Sequence, residues 1–214
     1  MTEISQDASP LLEVRALTCE RGERLLFRDL EFSLDSGQVL QVKGGNGSGK
    51  TTLMRIVCGL NDSFEGELYW RGDALGERWD AFHANLLYIG HRLAVNHVLT
   101  PLENLRWSCR LHDPADDGGI REALAEMDLA GYEDSPCYSL SAGQQQRVSL
   151  ARLLLSSAAL WILDEPFTTL DVDGVALLEN LVARHVREGG AVLITTHHKL
   201  VLPRLRTLTL GVAR

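Results

Sequence analysis

The sequence predicts an α/β fold, a parallel sheet covered by helices on both faces. Short apolar strands such as Val39 to Val42, Leu160 to Leu163 and Ala191 to Thr195 alternate with stretches of helical periodicity. A glycine-rich loop joins one of these strands directly to a helix. Two others end in polar residues, Asp164-Glu165 and His197-His198, at the edge where the ligand crevice of a parallel sheet opens.

Along the chain, Met1 to Pro10 carries Glu3 and Asp7 and no apolar run, so it reads as a disordered lead-in and as neither a secretory signal nor a transit peptide. Residues 11–214 are expected to form a single domain. Leu11 to Leu17 and Leu25 to Leu34 alternate imperfectly with polar residues around the Arg21-Gly22 turn, the pattern of half-buried antiparallel strands. Val39 to Val42 is a short buried strand, and Gly66 to Trp70 and Asn85 to Ile89 look like further strands. From Thr100 to Tyr132 the pattern is helical, with Pro101 at a helix start, Ile120, Leu124 and Met127 at helical spacing, and Asp113 to Gly119 as a polar loop. A helical lobe at about 90–139 follows from this. A helix through Leu155, the strand Leu160 to Leu163, a helix from Val172 to Arg187 and the strand Ala191 to Thr195 complete the alternation. In the second helix Val172, Val175, Ala176, Leu178, Val182 and Val186 should share one face, with Gly189-Gly190 as the stop.

Composition narrows the function. The 214 residues carry 21 basic and 29 acidic side chains, a net charge of −8, with no cluster of Lys and Arg. Nucleic acid is therefore an unsuitable partner, because neutralising phosphates needs concentrated positive charge. No apolar stretch approaches the roughly 20 residues of a membrane helix. The four cysteines, Cys19, Cys58, Cys109 and Cys137, form no C-x-x-C pair and read as small buried hydrophobes in a reducing compartment.

Gly44-Gly45-Asn46-Gly47-Ser48-Gly49-Lys50-Thr51-Thr52 has the spacing of a phosphate-binding P-loop, with a strand before it and a helix after it. The glycines let successive backbone N–H groups turn inward, and the positive end of the following helix adds to the anion nest. Lys50 is placed to bridge the β- and γ-phosphates and Thr51 to ligate Mg²⁺. None of the three lysines follows an asparagine, so no guanine-reading N-K-x-D motif exists and ATP is the expected nucleotide.

At the strand ends, Asp164 can hold Mg²⁺ through its water shell, and Glu165 can orient or deprotonate an attacking water. An imidazole at His197 can hydrogen-bond the γ-phosphate, whereas His198 reads as structural. The other five histidines show no metal spacing. Leu140-Ser141-Ala142-Gly143-Gln144-Gln145-Gln146-Arg147 heads a helix, with the Ser141 hydroxyl and the Gly143 backbone available to an anion.

Taken with the P-loop upstream and Asp164-Glu165 downstream, that last string resembles the signature motif of ABC-type ATPases. The likeness runs from Leu11 to Leu210. It implies a P-loop NTPase with a RecA-like parallel-sheet core, an N-terminal antiparallel β region and a helical subdomain. Asp171, within Thr168-Thr169-Leu170-Asp171, matches the D-loop, and His197 the switch histidine. The resemblance implies a head-to-tail dimer in which each ATP lies between the Lys50 loop of one copy and the Ser141 signature of the other. Two departures stand out. Cys19-Glu20-Arg21 replaces the usual base-stacking aromatic, leaving Arg21 to stack on the base, and His91 stands where the Q-loop glutamine is expected. With Trp161 to Thr168 and Asp171 to Ala176, these departures are similar to the ATP-binding subunits of bacterial cytochrome c maturation. That likeness implies a peripheral inner-membrane subunit on the cytoplasmic side, with a transmembrane partner resembling CcmB, CcmC and CcmE nearby, and a task in haem export or in release of the haem-loaded chaperone. A different small-molecule transporter is the alternative. A soluble ATPase acting on DNA or ribosomes would usually carry long coiled coils or two fused cassettes, which this sequence does not show, and Glu165 and His197 argue against a regulator without turnover.

Overall fold

The computed structural model describes residues 9–22, 24–76, 78–109, 115–202 and 204–211. The expected lead-in up to residue 8, His112 and the first two residues of the expected polar loop lie outside them.

Two sheets make the framework. Strands β1 (Leu12–Arg21) and β2 (Arg24–Leu34) form a hairpin, and β4 (Glu65–Trp70) and β5 (Asp73–Ala74) extend it into a four-stranded antiparallel sheet of order β2-β1-β4-β5. The second sheet is wholly parallel, in the order β6-β7-β8-β3-β9, from β6 (Leu86–Ile89), β7 (Leu160–Asp164), β8 (Ala191–Thr195), β3 (Val39–Lys43) and β9 (Leu205–Thr209). Every residue of β7 and β8 is buried. Because side chains alternate along a strand, such a strand must feed two cores. Leu160 and Ile162 join Leu40, Leu53, Ile56 and Leu34 on the face toward the antiparallel sheet and α1 (Lys50–Val57). Trp161 and Leu163 join Ile194, Leu178, Val182 and Val148 on the opposite face.

The second core is covered by α5 (Ala142–Leu150), α6 (Val172–Arg187) and the lobe made by α3 (Pro101–Cys109) and α4 (Asp117–Glu126); the short helix α2 (Trp79–His83) packs Phe82 into the first. None of these helices is long and apolar enough to cross a membrane. All four cysteines are buried.

Several expectations are corrected. Gly118 and Gly119 lie inside α4, not in a loop, because Asp116 caps that helix by accepting the Gly119 N–H at 2.8 Å. Val172 is 84% exposed and Ala176 is exposed too; the inward face of α6 is Gly174, Leu178, Leu181, Val182 and Val186. The α-helix after Ser141 ends at Leu150 and tightens into a 3₁₀ turn over Ala151–Leu153. The edge strand β9 was not expected, since Arg206, Thr207 and Thr209 are exposed on it and little of it is apolar.

Candidate functional site

The glycine-rich loop leaves β3 at Lys43 and enters α1 at Lys50. Gly49 caps that helix in a left-handed conformation (φ 97°) with no side-chain cap, so the first N–H groups of α1 have no partner of the usual kind and are open to an anion. A Cβ on Gly49 would also stand 3.1–3.2 Å from Phe27 and Leu26, so a side chain there would crowd both as well as strain the left-handed backbone. Lys50 folds back over the loop, its Nζ donating to the carbonyls of Gly44 (2.8 Å) and Gly45 (3.4 Å).

A cleft of about 460 Å³ opens over this loop. Gly45, Asn46, Gly47, Gly49, Lys50, Thr51 and Thr52 form its floor, and Asp164, Glu165, His91, Arg21 and His197 reach it from other parts of the chain. Ser48 is sealed beneath, with its hydroxyl unpartnered among the described residues, and Gly44 lies behind, in an adjoining hollow shared with Lys50 and His197.

Asp164, at the end of β7, is 2% exposed. One carboxylate oxygen accepts from the Thr195 hydroxyl at 2.6 Å, and the other is sealed from solvent without a hydrogen-bond partner among the described residues. An unmatched buried anion calls for a cation or a cation-bound water, so the donor set of Asp164 and Thr51 suits a hard divalent ion. Glu165 adopts a left-handed backbone (φ 55°), which turns its side chain away from that of Asp164 and into the cleft. Its N–H is tied to the Thr195 hydroxyl (2.9 Å) and carbonyl (3.1 Å), and its carboxylate stands 3.5 Å from Nε2 of the mostly exposed His197. His198 does not face the cleft. Its ring lies 5.0 Å from that of Phe167 and its Nε2 3.3 Å from Glu179 of α6, which fastens the loop that carries His197.

Ser141, Gly143 and Asp171 are not brought to the glycine-rich loop of the same chain. They line a separate cavity of about 620 Å³ that shares no residue with the first. Ser141 caps α5 through a reciprocal pair with Gln144, its hydroxyl accepting at 3.2 Å and its N–H donating at 2.9 Å. Beside it the buried Arg147 donates to Asp171 (2.7 Å), Asp128 (3.2 Å) and the Met127 carbonyl (3.2 Å). Asp171 also caps α6, and the Gly174 N–H, followed by Arg147, holds its carboxyl below the usual carboxylate range. Neither Arg147 nor Thr195 is among the site residues expected from the sequence. The signals lay in the arginine that closes the string at Ser141 and in the register that sets Thr195 beside Asp164.

The family model described as ABC transporter matches residues 27–168. The cytochrome c biogenesis ATP-binding export protein CcmA of Hahella chejuensis is 50% identical over 204 residues, which is 95% of this chain and 97% of that one. CcmA of Pseudomonas fluorescens is 54% identical over 192 residues, 90% and 91% of the two chains. Among solved structures, an ATP-binding subunit of an ABC transporter superposes with a TM-score of 0.78 at 26% identity, covering 87% of this chain and 79% of that one. A putative ABC transporter ATP-binding protein from Pyrococcus furiosus gives a TM-score of 0.80 at 22% identity over 93% and 96%. On the family model and these nearly full-length relatives, the chain belongs to the CcmA family of ABC transporter ATP-binding subunits.

Proposed function

We propose that this chain is the ATP-hydrolysing subunit of a membrane ABC complex for c-type cytochrome biogenesis, and that it works as a head-to-tail dimer. The observation that carries the dimer is the separation of the two cavities. Glu165 and His197 stand over the Lys50 loop, while the Ser141 helix and Asp171 face elsewhere, so a second copy must complete each site.

In this reading the loop N–H groups and Lys50 receive the phosphates, Lys50 exchanging the Gly44 and Gly45 carbonyls for the β- and γ-oxygens. Thr51 and Asp164 would hold Mg²⁺, which neutralises charge on those oxygens when bound. Glu165 takes the proton of the attacking water, and His197, 3.5 Å away, hydrogen-bonds the γ-phosphate and lines up that water. Ser141 and the Gly143 N–H of the partner copy close over the same phosphate, and His91 takes the Q-loop place at the cleft rim. Arg21 stacks on the adenine in place of an aromatic ring. Closing and opening of the dimer then drives a transmembrane subunit resembling CcmB, with CcmC and CcmE nearby, at the cytoplasmic face of the inner membrane. The work done is haem export or release of haem-loaded CcmE. The support for this setting is the close likeness to CcmA proteins over nearly the full chain.

Affinity purification of the tagged chain from detergent-solubilised membranes tests it. Recovery of a channel-like subunit with haem-handling partners is expected. Recovery of another transporter's channel would reassign the complex, and a Lys50→Ala chain that still bound ATP normally would overturn the phosphate site.

A further inference from the structure

Arg21 and Arg24 are direct cross-strand partners at the end of the β1–β2 hairpin. Like charges placed opposite one another cost stability, and neither guanidinium has a hydrogen bond or ion pair with another described residue. In a chain with a net charge of −8, two cations side by side with no partner among the described residues are out of keeping with the overall charge. Their position gives the reason. Arg21 forms part of the cleft wall, and a Cβ built on Gly47 of the phosphate loop would stand 3.6 and 3.8 Å from the two terminal nitrogens of Arg24. Gly47 has no side chain and turns through a left-handed φ of 76°, so the Arg24 guanidinium lies close against the backbone of the loop at that point. The hairpin is held there, because Phe27 and Leu26 of β2 pack directly on Gly49.

We propose that Arg24 is a nucleotide ligand, its guanidinium closing the outer rim of the phosphate loop on the phosphate chain of ATP. The repulsion within the arginine pair is the cost of holding that charge ready, and the bound polyanion relieves it. This rests on the reading of the loop as an ATP site and adds a residue outside its motif.

The test compares Arg24→Gln, Arg24→Lys and Lys50→Ala with the unaltered chain. Calorimetric titration with ATP is run at two salt concentrations on protein dilute enough to be monomeric, together with melting of the nucleotide-free chain. Arg24→Gln is expected to weaken ATP roughly tenfold or more and to flatten the salt dependence, with Arg24→Lys in between. Melting without nucleotide should stay level or rise, since a like-charge contact is removed. Unchanged affinity in Arg24→Gln while Lys50→Ala loses binding would overturn the inference and leave the ATP site standing. Arg24→Gln that binds ATP normally but no longer dimerises would give the residue to the partner copy and would also overturn it. Lower affinity accompanied by lower nucleotide-free stability would mark a structural role and do the same. Normal binding by Lys50→Ala would remove the ATP site itself.

Discussion

Glu165 and His197 face each other at 3.5 Å from the ends of two neighbouring parallel strands, and the Thr195 hydroxyl fastens the first of them to the strand that carries the second. The carboxylate is partly buried, whereas the imidazole is 70% exposed. That asymmetry suits a base fixed in place beside a group that adjusts to what binds. Glu165→Gln should keep ATP affinity and lower hydrolysis by about a hundredfold or more, because the amide has the shape of the acid without its basicity. Phosphate release measured at saturating ATP checks this.

Thr195 is the hub beneath that pair, donating to Asp164 at 2.6 Å and accepting from the Glu165 N–H at 2.9 Å. Thr195→Val keeps the shape and removes both bonds, leaving a buried carboxylate with no donor. A loss of about 1–3 kcal/mol is expected. Thr195→Ser should recover most of it, and urea denaturation of the two variants provides the comparison.

The parallel core was legible where sequence and burial coincide. Strands β7 and β8 are buried from end to end and so appear as unbroken apolar runs. Helix α6 was bounded correctly, with Gly189-Gly190 as its stop, yet its face was misjudged, because apolar Val172 protrudes in the first turn while Leu181 fills the core. Strand β9 stayed hidden because an edge strand beside solvent has no need of an apolar pattern. In the site, the loop and the strand-end residues are contiguous strings. The roles of Thr195 and Arg147 depend on strand register and helix placement, which no local string encodes, whereas the separation of Ser141 from Lys50 was implied by the family resemblance alone.

Packing around Trp161 yields a steric prediction. The His185 ring stacks on Trp161 with centroids 3.8 Å apart and planes 4° from parallel. A Cβ on Gly190 would overlap that imidazole. Gly190→Ala should therefore destabilise the chain by roughly 1–3 kcal/mol. A lowered midpoint of thermal unfolding would show it.

The same histidine gives a pH dependence. Burial holds its value below the ordinary 6.5, and the backbone bonds to Ala191 and Ala159 and the charge of Glu188 oppose this without reversing it. The folded chain keeps the ring neutral, while the unfolded chain takes up a proton near pH 6.5. Between the folded value and 6.5 the unfolded state binds more protons, so stability rises with pH across that window and is lost as pH falls through it. In His185→Phe, which preserves a ring against Trp161, the dependence between pH 5 and 7 should flatten. Denaturation midpoints collected across that range decide the matter.

In the head-to-tail arrangement we propose, the separation of Ser141 and Asp171 from the Lys50 cleft means that one copy cannot enclose ATP alone. Light scattering on Glu165→Gln, with and without ATP, is the most direct measurement of that dependence. A monomer that becomes a dimer when ATP is added, and reverts when Ser141 is replaced by a bulky residue, is expected. A species that stays monomeric at saturating ATP, or a dimer indifferent to both nucleotide and Ser141, would contradict it.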